Sequence, residues 1–147
     1  MLLLGIKNIS PQTLITGQIA SLGSVYRRYC KKNDCGLPTF SYDGQSVNLQ
    51  HRGMYKITVT AVVSGTVAGD VTLQLLENGT PITGAFATET ITTPTTELRT
   101  MVIDYFVLVD SDCVLGNRTT SIESLSVQNT GVGATITNIV FNVLKVS

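Results

Sequence analysis

The stretch Gly53-Met54-Tyr55-Lys56-Ile57-Thr58-Val59-Thr60-Ala61-Val62-Val63-Ser64-Gly65, running on through residues 66–85 as TVAGDVTLQLLENGTPITGA, decides the fold. Tyr55, Ile57, Val59, Ala61 and Val63 alternate with Lys56, Thr58 and Thr60, and only Val62 breaks the order. A period of two places the apolar set on one face of a pleated strand. Ser64-Gly65 and Ala68-Gly69-Asp70 supply turn chemistry before a second alternation, in which Val71, Leu73 and Leu75 oppose Thr72 and Gln74. Glu77-Asn78-Gly79-Thr80 follows. Asn-Gly accepts positive φ at both central positions, which is what a tight hairpin turn requires. Strand, loop, strand and tight turn define antiparallel β structure.

The same grammar extends outward. Upstream, Val47 and Leu49 alternate with Asn48 and Gln50 as a short strand. Downstream, the hairpin continues around Pro81 and Ile82, and Ala85–Thr88 is a candidate further strand. Residues 90–96 hold five threonines and Pro94, which forces a loop or a sheet edge. In Leu98–Val109, Met101, Ile103, Tyr105, Val107 and Val109 load one face, and Val102, Phe106 and Leu108 load the other. Ser121–Asn129 alternates with Leu125 and Val127 inward. In the last run, Ile139, Phe141 and Val143 form one row and Val140, Leu144 and Val146 the other.

Strands that are apolar on both faces must be covered on both faces. One face meets the sandwich core, and no helical segment exists to cover the second. A second subunit is the economical cover, although a one-residue bulge near Asn138 would also blur the alternation. On this reading Ile139, Phe141 and Val143 are expected at a subunit interface, with Tyr105 and Val107 as the alternative set. The whole pattern predicts an all-β fold, a jelly-roll β-sandwich of about eight to ten antiparallel strands.

The N-terminal part is weaker in pattern. Gly5, Pro11, Gly17 and Gly23 interrupt residues 1–24, where Leu2–Ile9 and Thr13–Ile19 are the candidate strands. Residues 25–46 are the most polar part, and Tyr26-Arg27-Arg28-Tyr29 opens a basic, aromatic run expected as an irregular loop or arm. These features predict an extended N-terminal segment, 1–40, that anchors the protein, ahead of a jelly-roll domain, 41–147.

Composition agrees with a β-rich chain. The 147 residues are long enough to bury about 70% of their unfolded surface. Charged residues make up only 14%, well under the roughly 25% of an average domain. A chain with few charges is expected to hide surface in an oligomer. Ten basic and ten acidic residues leave no net charge, so nothing steers the chain to nucleic acid or to an anionic membrane. No apolar run reaches the roughly 20 residues that a helical span needs. Met1-Leu2-Leu3-Leu4 lacks the basic flank and the length of a secretory signal, so synthesis in a cytoplasm without cleavage is expected.

Chemistry-bearing residues are sparse. Cys30, Cys35, Cys113 and His51 lack the paired spacing of a zinc site. Cys30 and Cys35 are read as free thiols, with a disulfide between them as the alternative in an oxidising exterior, and Cys113 as a small core residue. His51 is the only histidine, no Gly-x-Ser-x-Gly elbow accompanies it, and its place before a glycine turn suggests exposure. Asp110 and Asp112 read as a solvated turn rather than a calcium loop. No catalytic residue, cofactor or metal site is assigned, and the chain is not read as an enzyme.

Gly53-x-Tyr55-x-Ile57-x-Val59, Val71-x-Leu73-x-Leu75, Asn78-Gly79, Leu125-Ser126-Val127-Gln128-Asn129 and the Ala134–Lys145 run, in that order, resemble the C1q/TNF-like jelly rolls. The likeness is to the short versions found in phage, prophage and bacterial surface proteins, and it spans residues 40–147. Gly17–Tyr29 resembles leader segments of phage structural proteins of this kind. The resemblance implies a homotrimer that binds or displays rather than catalyses. The function it implies is a phage virion structural protein on the virion surface, a capsid decoration or head-fibre protein. Tyr26, Arg27, Arg28 and Tyr29 would then anchor it to other virion proteins. The alternative is a receptor-binding tip or adhesin for host surface glycan, using loops near 64–70, 88–97 and 110–120. Those loops hold no tryptophan to stack on a sugar.

Overall fold

The computed structural model describes residues 2–30, 32, 36, 38–110, 113–114, 117–118 and 123–147. Thirteen strands make up the described structure: β1 (Leu2–Asn8), β2 (Gln12–Leu14), β3 (Ser24–Tyr29), β4 (Phe40–Tyr42), β5 (Val47–Leu49), β6 (Gly53–Gly65), β7 (Gly69–Glu77), β8 (Thr80–Ile91), β9 (Arg99–Val109), β10 (Cys113–Val114), β11 (Asn117–Arg118), β12 (Glu123–Asn129) and β13 (Ala134–Lys145). They form two antiparallel sheets, ordered β3-β1-β13-β6-β9 and β4-β5-β12-β7-β8. β2 joins the first sheet on β13, and β10 pairs with β11 alone. The chain changes sheet between β3 and β4, between β5 and β6, between β6 and β7, between β8 and β9, and on either side of β12. These crossings make the sandwich a jelly roll.

The deciding stretch folds as its pattern dictates. β6 buries Tyr55, Ile57, Val59, Ala61 and Val63 on its inner face. β7 buries Val71, Leu73 and Leu75, and the Asn-Gly turn hands over to β8 with φ of 54° at Asn78 and 80° at Gly79. β8 is longer than expected because it runs unbroken past Gly84. A register shift between Gln74 and Leu76 absorbs the irregularity. The Gln74 amide fills the gap by donating to the carbonyls of Ile82 and Ala85, at 2.8 and 3.1 Å. Pro81 is tolerated because β8 is an edge strand.

The core lies between the sheets. Phe141, Ile139 and Val143 from β13 meet Phe40, Leu49, Leu73, Leu75 and Leu125 from the second sheet in one cluster. Phe40 stands edge-on to Tyr55, ring centroids 5.9 Å apart. This packing corrects the expected interface. Ile139, Phe141 and Val143 keep at most 1% of their surface within a single chain, so no area remains for a second subunit to cover. Val107 is likewise core, and Tyr105 is half-buried against it. The expected bulge exists, between Ile136 and Asn138, and it lets Ile136 and Ile139 both face inward.

The boundary at residue 40 also needs correcting. β1 sits inside the first sheet, paired with β13 from Leu2↔Lys145 to Asn8↔Ile139. Leu4, Ile6, Leu14, Ala20 and Leu22 all lie in the core. Residues 1–40 therefore contribute strands to the jelly roll instead of extending away from it. The physical reason is that β13 without β1 would expose a long open edge. Tyr26–Tyr29, expected in a loop, belong to strand β3, which pairs with β1.

Candidate assembly face

Each strand of the first sheet turns one row of side chains to the core and the other row outward. The outward row of β9 comprises Thr100, Val102, Asp104, Phe106 and Leu108. Val102, Phe106 and Leu108 are each about 55% exposed, and Met54 on β6 adds to them. Exposed apolar side chains grouped on one sheet face, here interrupted by Asp104, Lys56 and Thr60, make it a candidate surface of association. Val140 and Leu144 of β13 continue it, half-buried, toward Leu3 of β1.

The register across the five strands aligns these residues into rungs. One rung reads Tyr29, Leu3, Leu144, Lys56, Phe106 from edge to edge. The next reads Arg27, Gly5, Asn142, Thr58, Asp104. Lys56 bridges the two rungs through an ion pair with Asp104 at 3.7 Å. A shallow groove opens over β3, β1, β13 and β6, lined by Leu3, Tyr26, Arg27, Lys56, Asn142 and Leu144.

Tyr26 is the central side chain of the groove. The β1–β3 ladder shifts register at Gly5, which swings Tyr26 over that glycine. Its hydroxyl donates to Asn142 Oδ1 at 2.7 Å, and Lys7 Nζ lies 5.3 Å from the ring centroid. Arg27 and Tyr29 share the outward side with Tyr26, because their rung partners Gly5 and Leu3 do. Arg28 pairs with the buried Leu4 and turns the other way, where its guanidinium donates to the Phe40 carbonyl at 2.5 Å. The four residues expected to act together as an anchor are thus divided. Three belong to the outward face of the first sheet, and Arg28 ties the two sheets together.

The remaining polar groups serve the fold. His51, expected at the surface, is buried, with Nδ1 at 3.2 Å from Thr39 Oγ1. Its carbonyl accepts from the Tyr55 hydroxyl at 2.6 Å. The Tyr42 hydroxyl lies 2.7 Å from the carbonyls of both Gly23 and Gly44, which share its single proton, and burial, followed by the charge of Asp43, raises its pKa. Cys30 is half-buried against the core. Cys35, Asp112 and the side chain of Cys113 lie outside the described residues, as do Lys31 and Asp34. Among the described residues no three His, Cys, Asp or Glu side chains converge to hold a metal. Nor is any helix among the described residues long and apolar enough to cross a membrane.

With two sheets, these crossings and this strand order, the chain is a jelly roll. Among solved structures the fold is similar to the jelly rolls of C1q and TNF domains and of a vertex protein. The globular domain of zebrafish complement 1qA protein superposes with a TM-score of 0.65 at 9% identity, over 100% of this chain and 98% of that one. Eiger TNF from S. frugiperda gives 0.66 at 8% identity, over 100% and 94%. PRD1 vertex protein P5 gives 0.57 at 16% identity, over 99% and 97%. No protein-family model and no curated sequence matches the chain.

Proposed function

We propose that this chain is a structural protein of a phage virion, a homotrimer displayed on the particle surface as a capsid decoration or head-fibre protein. The observation that carries the reading is the outward face of the first sheet. Val102, Phe106 and Leu108 stand exposed on the edge strand β9, and a groove on the same face spans from β3 to β6. A protruding apolar edge and a groove on one surface favour head-to-tail contact between copies, and such contacts close into rings when the rotation allows. The chain's zero net charge leaves no long-range repulsion to oppose this. The similarity to a vertex protein over nearly the full length of both chains supports the particle setting. The C1q and TNF similarities support a binding or display role.

Light scattering on the purified protein tests the assembly, and immunogold labelling of intact particles tests the location. The wild type is expected at three times the chain mass. Phe106→Asp is expected at one chain mass with an unchanged β-sheet circular dichroism spectrum, because the side chain is exposed in a single copy. A wild-type monomer at all concentrations, or a Phe106→Asp trimer, would overturn the reading.

A further inference from the structure

We infer that the copies meet with Arg27 of one chain on Asp104 of the next, and Tyr29 of one chain against Phe106 of the next. The inference rests on the self-assembly reading above and adds the residues that set the register of the contact.

Arg27 and Asp104 end the same rung of the first sheet, one on edge strand β3 and the other on edge strand β9. Four strand spacings of roughly 4.8 Å separate them, about 19 Å, so they cannot pair within one chain. The neighbouring rung ends in Tyr29 on β3 and Phe106 on β9. In a ring whose axis runs along the strands, rotation leaves the height of every residue along that axis unchanged. Each rung of one copy therefore arrives opposite the same rung of the next. The two edges match at both heights, cation with carboxylate and aromatic with aromatic.

The surroundings fit the match. Lys56 already holds Asp104 from one side, with both side chains about half exposed. A guanidinium arriving from a neighbour would complete two-sided charge compensation of that carboxylate as the apolar rim around it is dried. An ion pair in such a rim acts on specificity and register more than on raw affinity. Tyr29 and Phe106 are 66% and 55% exposed in one copy, so both rings are free to be covered by such a contact.

Charge reversal tests the pairing. Arg27→Glu and Asp104→Arg are each expected to raise the concentration at which the assembly dissociates by about tenfold or more. The double variant Arg27→Glu/Asp104→Arg is expected to return it to within about threefold of wild type, since reversed charges attract again. A second measurement does not depend on charge: Arg27→Cys/Asp104→Cys is expected to form covalent multimers on a non-reducing gel, while each single cysteine variant matches the wild-type background. Single reversals that leave dissociation unchanged, a double reversal that shows the two losses combined, or absence of cross-linking in a protein that still assembles would each overturn the pairing and leave the self-assembly reading standing. A wild-type monomer would overturn both.

Discussion

The ring of Tyr26 lies directly on Gly5. A methyl group built on that glycine would fall 2.7 Å from Tyr26 Cζ and 2.9 Å from its hydroxyl oxygen. The glycine is there for the ring, and the ring covers a backbone that has no side chain of its own. Gly5→Ala should displace Tyr26 from Asn142 and destabilise the fold by about 1–3 kcal/mol. In a Tyr26→Ala background the same change should cost much less. Urea unfolding of the four proteins in a double-mutant cycle checks this, and additive losses would contradict the contact.

Phe141 separates core from surface on β13. It is fully buried between the sheets, whereas its neighbour Leu144 faces outward. Phe141→Ala should lower unfolding free energy by about 3–5 kcal/mol through the cavity it leaves. Assembly should change only as far as the fold does. Thermal melts followed by circular dichroism at two protein concentrations distinguish this from an interface defect, which would make the loss strongly concentration-dependent.

Glu77 and Glu123 stand on adjacent strands at one end of the sandwich, on the side of the sheet that carries the core. Their rung partners are the buried Leu125 and Leu49. Partial burial, followed by the hydrogen bond and charge of Glu123, pushes the Glu77 carboxyl up from 4.5 to about 7. The folded chain thus binds this proton more tightly than the unfolded chain. The resulting stabilisation is complete below about pH 4.5 and is lost as pH rises from there to about 7. Glu77→Gln should remove that slope and melt higher than wild type at pH 8. Melting temperatures at pH 5 and pH 8 decide it, and an unchanged wild-type slope in the variant would exclude Glu77 as its source.

Glu97 shifts the other way. The backbone N–H of Thr93, the hydroxyl and N–H of Thr92 and the Arg99 guanidinium hold its carboxyl down at about 2. Oε1 accepts from both threonine N–H groups at 3.0 and 3.1 Å, so the carboxylate is the hub of the β8–β9 crossing. Its contribution is present above pH 4.5 and is lost as pH falls toward about 2. Glu97→Gln should speed amide hydrogen exchange at Thr92 and Thr93 at neutral pH while leaving β6 protected. Unchanged exchange at both threonines would refute the hub.

Much of this architecture was legible because β structure writes itself at a period of two. Tyr55 to Val63, Val71 to Leu75, Leu125 and Val127 face inward as the alternation requires. Asn78-Gly79 turns because only a few residues tolerate its dihedral angles. The doubly apolar strands β9 and β13 were legible too, as strands with apolar residues on both faces. Which row met the core was not. Ile139, Phe141 and Val143 alternate with Val140 and Leu144 on equal terms, and both rows are apolar. The choice depends on where the second sheet lies, and a one-dimensional pattern holds no record of it. The buried position of His51 was hidden for the same reason, since its contact is with Thr39 from another turn.

The sequence alone determined the all-β class and the central hairpin, because alternation and turn chemistry are local properties. Tertiary structure decided the rest. It drew residues 1–40 into the first sheet, since β13 needed a neighbour for its backbone. Through one register shift it brought Tyr26 to the same outward side as Arg27 and Tyr29, while Arg28, also exposed, points to the other side of the strand. It also set Arg27 and Asp104 at opposite ends of a single rung, a relation between residues 77 positions apart that only strand pairing across the whole sheet can create.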